Sequence, residues 1–373
     1  MNELNQRYHI QHYIDTFALG HYARVLEAYD QQRRESVAFK VLRPEHLLSD
    51  GDLRWEYQAF GVEAHLLMLL KDSPSVVKLR DCGYVETIAE APQSGPFVSF
   101  GQDAVAFQRA MSQYAAQAWR PYLALELLPR SDNLLYLMKP NQQSVRRRLP
   151  SEEGLTLALQ FANLLALAHS QRIVYLDHKL EHVYWDGVTL RIIDLNSSKQ
   201  LQGGPGDAQE YAKDIHNLCV GILYPIFTGM SPLKTQLRPQ PGGLDAVETR
   251  YNEVQTLDFA MEPSLSQAIQ DWLQRGAQLA YPDLASFRAD LEAVCALHGR
   301  DFPDHAARPA TRQARDLLRE ALRHMRQGEN DLRQARDLLR DAASHEGLSQ
   351  DMEDELRRLV VALNHMLHHR VIP

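Results

Sequence analysis

The sequence predicts an α+β protein, with a sheet-rich N-terminal unit, a helical unit behind it and a helical tail. Three observations carry this reading. Short apolar strands dominate Tyr8 to Val85, and from Leu155 apolar residues recur every three or four positions, which is strand periodicity followed by helix periodicity. Near the C-terminus Ala314-Arg-Asp-Leu-Leu-Arg-Glu-Ala321 returns as Ala335-Arg-Asp-Leu-Leu-Arg-Asp-Ala342, the mark of a helical repeat. Strands first and helices later indicate segregated α+β units rather than alternating β/α ones.

In chain order, strands are expected at Tyr13–Phe17, Arg24–Tyr29, Val37–Leu42, Val76–Leu79 and Gly83–Val85. One helix interrupts them, about Leu53–Leu70, with Phe60, Leu66, Leu67 and Leu70 on one face. Thr87–Arg120, with Pro92, Gly95 and Pro96 and then the helix-like Asp103–Trp119, reads as an insertion; Tyr122–Leu128 reads as a buried strand. Leu155–His169 aligns Leu159, Ala162, Leu165 and Ala166 as a helix face. Short strands follow at Ile173–Leu176, Val183–Trp185 and Leu190–Ile193. Gly203–Gly206 reads as a turn, and helices are expected at Asp214–Thr228, Leu265–Gln278 and Leu284–Leu297. The domain reading is 8–128 with the insertion 87–120, then 129–300, a Pro-containing linker 301–309 and a helical tail 310–373. In that tail Leu356, Leu359, Val360 and Leu363 share a face.

Composition excludes several function classes. The chain has 373 residues, 45% hydrophobic and 24% charged, which is globular and neither collagenous nor wholly disordered. Net charge is −8, from 40 Lys and Arg against 48 Asp and Glu, so no positive field gathers nucleic acid. Three scattered cysteines, Cys82, Cys219 and Cys295, read as reduced thiols, and no apolar run approaches the ~18 residues of a membrane span. The expected setting is cytoplasmic, away from membranes and nucleic acid.

The chemistry concentrates in a few positions. Val37-Ala38-Phe39-Lys40 ends on a lysine inside an apolar strand, costly unless paired, and Glu63 on the following helix is the candidate partner. Tyr175-Leu-Asp-His-Lys-Leu-Glu-His182 lies between short strands, so Asp177, Lys179 and His182 belong to a loop, and Asp194 ends the apolar run from Leu190. Two carboxylates at strand ends with a lysine beside the first suit phosphoryl transfer. One carboxylate orients or deprotonates the attacking hydroxyl, the other holds magnesium, and lysines offset phosphate charge.

In order and context these residues resemble the Hanks-type protein kinase family over roughly Tyr8–Leu297. The resemblance implies a bilobal protein-kinase-like fold, ATP and Mg2+ as cofactors, and a Ser/Thr hydroxyl on a protein as acceptor. It sets Asp15-Thr-Phe-Ala-Leu-Gly20-His-Tyr22-Ala-Arg-Val25 as the phosphate loop, with Gly20 and Val25 near the nucleotide. Ala38 and Lys40 stand in the nucleotide strand and Glu63 pairs with Lys40; Leu125 becomes gatekeeper, and the backbone of Glu126 and Leu128 faces adenine. Asp177 serves the hydroxyl, Lys179 steadies the γ-phosphate, and Asp194 and His182 take the metal positions. The helix from Asp214 anchors the loop from below.

The departures are specific. Only one of three loop glycines remains, Gly20, with Ala18 and Ala23 at the others. The catalytic loop reads Tyr-Leu-Asp, without the arginine that reads loop phosphorylation. His182 stands where the family has an asparagine metal ligand, an exchange expected to weaken one of two metal positions or shift preference toward Mn2+. The metal triplet is Asp194-Leu-Asn196, the Asp194–Asp214 segment is short and lacks Ala-Pro-Glu, and Tyr281 stands where that motif's arginine partner belongs. Two readings follow: an ATP-dependent phosphotransferase, or a pseudokinase acting as a nucleotide-responsive scaffold whose tail docks a protein partner.

Three rivals are weaker. His178-Lys-Leu-Glu-His182 fits the inverted zinc-protease pattern, which needs a helix where flanking strands predict a loop. His365, His368 and His369 have helical spacing, which a solvated helix end also explains. Gly203-Gly-Pro-Gly206 lacks the lysine of a Walker loop. The tail also resembles a tetratricopeptide-type hairpin, with a shorter repeat offset, and a helical cap packed on the second unit is the plainer expectation.

Overall fold

The computed structural model describes residues 2–14, 22–47, 53–138, 147–237, 240, 243–297, 317, 321, 329–348 and 350–369. The phosphate-loop residues Asp15 to Gly20 and the linker 301–309 lie outside them.

The N-terminal half is an antiparallel sheet. Its strands are β1 (Asn2–Glu3), β2 (Tyr8–Tyr13), β3 (Ala23–Asp30), β4 (Glu35–Leu42), β5 (Leu79–Val85), β6 (Pro96–Gly101) and β7 (Arg120–Glu126), in the spatial order β1-β6-β5-β7-β4-β3-β2. A short helix α1 (Leu4–Arg7) joins the first two strands, and α2 (Trp55–Leu69) and α3 (Ala104–Ala116) complete this half. Alternation along β4 separates two faces. Val37, Phe39 and Val41 pack with Tyr8 and Tyr122 on one side, while Leu42 joins the core of α2 and α3 on the other, the side of Ala38 and Lys40.

One expectation is revised. Val76–Leu79 does not form its own strand: Val76 makes one isolated bridge with Ile192, the Val77 amide donates to the Ile192 carbonyl, and pairing in the sheet begins at Leu79. The segment is tied to the helical half first, so it enters the sheet late. The residues read as an insertion are built into the sheet, since β6 pairs with β5 and β1 and α3 packs on α2. There is no room for detachment at Gly83, where an added Cβ would lie 1.9 Å from the Val98 carbonyl oxygen.

The rest is mostly helical: α4 (Leu134–Met138), α5 (Ser151–Ser170), α6 (Asp207–Leu218), α7 (Tyr224–Thr228), α8 (Leu244–Thr249), α9 (Gln267–Ala277) and α10 (Leu284–Leu297). A π-helical turn, Cys219–Leu223, joins α6 to α7, so the helix expected from Asp214 begins earlier, at Asp207. Between α5 and α6 lie β8 (Ile173–Val174), β9 (Val183–Trp185), β10 (Leu190–Ile192) and β11 (Lys199–Gln200), paired β9–β10 and β8–β11. The tail comprises α11 (Glu329–Ala343) and α12 (Gln350–His369), which pack on each other around Leu332, Leu339, Leu356 and Leu363. Leu137 of α4 packs against this tail core, and on α12 the buried Glu355 lies in the field of Arg147 and Arg148. The tail's apolar face is therefore covered from within the chain.

Candidate functional site

The site is assembled where the sheet, α2 and the β8–β10 region meet. Lys40 points from β4 toward α2, and its Nζ donates to Glu63 Oε2 at 2.7 Å and to Asp194 Oδ1 at 2.6 Å. Burial alone would strip the proton from this lysine; the Asp194 and Glu63 carboxylates outweigh that and raise its pKa well above the ordinary value. Burial holds the Glu63 pKa up despite Lys40. Asp194 moves the other way: burial opposes ionisation, but the Lys40 ammonium and then His182 hold its pKa far below the usual carboxylate range.

Asp194 follows β10 and sits at φ +64°, a left-handed conformation that aspartate tolerates better than most residues. Leu176, just before Asp177, has φ +63°, an outlier for a bulky residue. The surrounding polar groups over-determine it. Asp214 accepts from the amides of Leu176 at 2.8 Å and Tyr175 at 3.1 Å, and Asn217 Nδ2 donates to the Leu176 carbonyl at 3.0 Å. His169 Nε2 stands 3.0 Å from Asp214 Oδ2, and the His169 and His178 imidazoles help keep the Asp214 pKa low against its burial. Strain stored here turns the chain so that Asp177 faces Asp194 rather than continuing β8.

Around Asp177 three cationic or titratable side chains converge. Lys179 Nζ lies 3.1 Å from Oδ2, His182 Nδ1 lies 3.5 Å from the same oxygen, and Arg250 Nη1 donates to Oδ1. Burial would raise the Asp177 pKa, and His182, Lys179 and Arg250 together bring it below the ordinary value. His182 turns its other nitrogen, Nε2, to Asp194 Oδ2 at 3.2 Å, so the ring bridges the two aspartates. The five residues Lys40, Glu63, Asp177, Lys179 and Asp194 thus form one ionic cluster with His182 at its centre.

The nucleotide-strand candidates share a face of the sheet. Val25 pairs with Lys40 and Ala38 with Leu125, and both are only half-buried. The Glu126 amide donates to the Lys78 carbonyl, its carboxylate accepts from the Lys78 amide and meets Arg191 at 3.4 Å, and Leu128 packs at the edge of the core. Gly20 lies outside the described residues. Tyr281 is buried and donates its hydroxyl to Asp290 at 2.7 Å, in the place expected for an arginine.

The two histidines of the zinc-type pattern diverge. His178 is buried between Phe161 and Tyr175 with Nδ1 3.6 Å from Asp214, while His182 faces Asp177 and Asp194. Among the described residues no group of three or more His, Cys, Asp or Glu side chains is arranged to hold a metal ion. A hydrated magnesium ion needs only one or two protein carboxylates, so a single partly exposed aspartate is the least that such an ion would require here. Asp194 is the carboxylate with surface to offer, 24% of its side chain, against 4% for Asp177 and 1% for Glu63.

Two further residues carry no signal in the sequence pattern. Tyr22 is buried beside Trp55 and Phe60, with its ring 5.8 Å from Lys40 Nζ and its hydroxyl accepting from Asn196. Arg250 comes from the end of α8, 73 positions from the aspartate it pairs with. Arg250 belongs to no spacing that could have singled it out, and Tyr22, though inside the expected phosphate loop, stands at a position to which that motif gives no role. No family model matches this chain, and no curated protein matches it.

Proposed function

We propose that this chain is a bilobal protein-kinase-like phosphotransferase that moves the γ-phosphoryl group of ATP to a Ser/Thr hydroxyl. The observation that carries the reading is Lys40 bridging Glu63 and Asp194, because it joins β4, α2 and the end of β10 through one buried ammonium. Charges buried this way are expensive to keep for structure alone. In the proposed role Lys40 is held by Glu63 and orients phosphate oxygens, and Lys179 offsets charge on the transferred group. Asp177 accepts the hydroxyl proton, and Asp194 is the residue that would hold magnesium. When bound, magnesium would supply neutralisation of phosphate charge during transfer. Val25 and Ala38 would line the adenine side.

The second reading, a nucleotide-responsive scaffold, is favoured by Tyr22. Its ring lies 5.8 Å from Lys40 Nζ and its hydroxyl accepts from Asn196, so one side of Lys40 is covered by the chain itself. The experiment that separates the two is ATP hydrolysis and autophosphorylation with magnesium or manganese, comparing the wild type with Asp177→Asn and Asp194→Asn. Phosphotransfer predicts that both variants fall by at least about 100-fold. Equal turnover in all three rejects it and leaves the scaffold, for which nucleotide-dependent capture of a protein partner is the measurement.

A further inference from the structure

The Asp177–Glu181 loop is also met by a segment far along the chain. Gln240 and Arg250–Tyr251 reach it. The Gln240 amide donates to Glu181 Oε1 at 2.8 Å, Lys179 Nζ approaches the Gln240 carbonyl at 3.4 Å, and Arg250 Nη2 donates to that carbonyl at 3.1 Å while its Nη1 holds Asp177 Oδ1. Arg250 is fixed from behind. Tyr251 is buried, donates its hydroxyl to the His178 carbonyl at 2.9 Å, and its own carbonyl lies 3.0 Å from His216 Nε2. Gly221 admits this ring: a Cβ there would come within 2.2 Å of the His178 carbonyl and 2.7 Å of Tyr251.

We propose that Arg250 is a positioning residue for Asp177, supplied from the end of α8. The assignment rests on the phosphotransfer reading. A guanidinium held at both Asp177 and the Gln240 carbonyl, beside a buried Tyr251, is resident rather than swinging, so it holds Oδ1 through the reaction. Among the described residues Oδ2 meets only Lys179, at 3.1 Å, and His182, at 3.5 Å, and in the proposed role Lys179 turns to the phosphate. Oδ2 then faces the acceptor. In the transfer, the acceptor oxygen bonds to the γ-phosphorus and the bond from that phosphorus to the bridging oxygen breaks, its electron pair leaving with ADP. The hydroxyl proton passes to Oδ2 and from there to solvent.

The test compares full-length wild type, R250Q, R250K and D177N by steady-state ATP turnover and direct nucleotide binding, with thermal unfolding as the folding control. R250Q is expected to lose about 10- to 100-fold in kcat while the ATP KM and the nucleotide Kd stay within about twofold, since misplacement and not binding is affected. R250K should fall between, about threefold or more below wild type, because an ammonium does not reproduce the planar fork by which the guanidinium spans Asp177 Oδ1 and the Gln240 carbonyl. If R250Q fails to fold, R250K alone carries the test. Wild-type kcat in the folded variants, a rise in kcat, or a change confined to KM overturns the assignment of Arg250. Wild-type turnover no greater than that of D177N overturns the phosphotransfer reading itself, and the assignment with it.

Discussion

Replacing Asp214 by alanine should release the turn that aims Asp177. The carboxylate is fully buried, accepts from the Tyr175 and Leu176 amides and stands 3.0 Å from His169 Nε2. Two buried amides left without an acceptor cost about 1–3 kcal/mol each. Relief from burying a carboxylate offsets part of this, because ion burial itself is worth several kcal/mol. Leu176 at φ +63° stores about 1–3 kcal/mol of strain in the folded turn with either residue at 214, so it favours opening once the bonds are lost but does not add to the difference. A net loss of about 3 kcal/mol is expected, concentrated at residues 175–177, which is roughly a 100-fold increase in local opening. Hydrogen exchange of the Tyr175 and Leu176 amides, read alongside urea unfolding, measures it. Asp214→Asn keeps one acceptor oxygen and should show about half the effect. Exchange in D214A within about threefold of wild type at these two amides would refute the argument that Asp214 sustains the strained turn.

Other expectations concern the cluster, its pH response and the tail. Lys40→Met strands two carboxylates, Glu63 and Asp194, and should cost about 3–5 kcal/mol, whereas Glu63→Gln leaves Lys40 paired to Asp194 and should cost less; equal urea midpoints for the two variants would contradict the bridging role. His178 is fully buried, and burial chiefly lowers its pKa despite the nearby Asp214. The unfolded chain takes up that proton near pH 6.5, so this part of the stability is whole above about pH 6.5 and lost as pH falls toward the lower folded value. Asp177 and Asp194, also depressed, lose theirs only below the unfolded value of about 3.9. Urea midpoints should therefore decline from pH 7 to 5 in the wild type and less in H178F; parallel declines would remove His178 from the account. Leu356→Ala, at the centre of the tail core, should cost about 2–5 kcal/mol locally and release α11 and α12 to protease, while amide protection along β4 holds. Loss of β4 protection to the same degree would mean the tail core is not energetically its own.

Much of the fold could be read directly. Alternation placed β3 and β4, and three-to-four spacing placed α5, α9 and α10, because one-sided burial leaves a period in the chain. No helix among the described residues is long and apolar enough to cross a membrane, as the lack of any long apolar run suggested. What periodicity missed has a common cause. Leu79–Val85 is buried at nearly every position, so it has no alternation to read, and its boundary is set by pairing with β7. The proline- and glycine-bearing stretch before β6 looked like an excursion because β1, one of the two strands that β6 pairs with, lies at the other end of this half of the chain.

The candidate site divides the same way. Lysine in an apolar strand, a carboxylate on the next helix and aspartates ending short strands are legible because burying a charge is costly enough to be conspicuous wherever it is kept. By itself the sequence determined which charges had to be partnered: Lys40, Glu63, Asp177, Lys179 and Asp194. Only the tertiary structure decided the pairing. It set Lys40 between two carboxylates, His182 between two aspartates, Tyr22 over Lys40 and Arg250 against Asp177. Charge and burial are properties of residue types and local pattern, whereas the distance between Arg250 and Asp177 depends on how Tyr251 seats against Gly221, a contact that no spacing in the chain encodes.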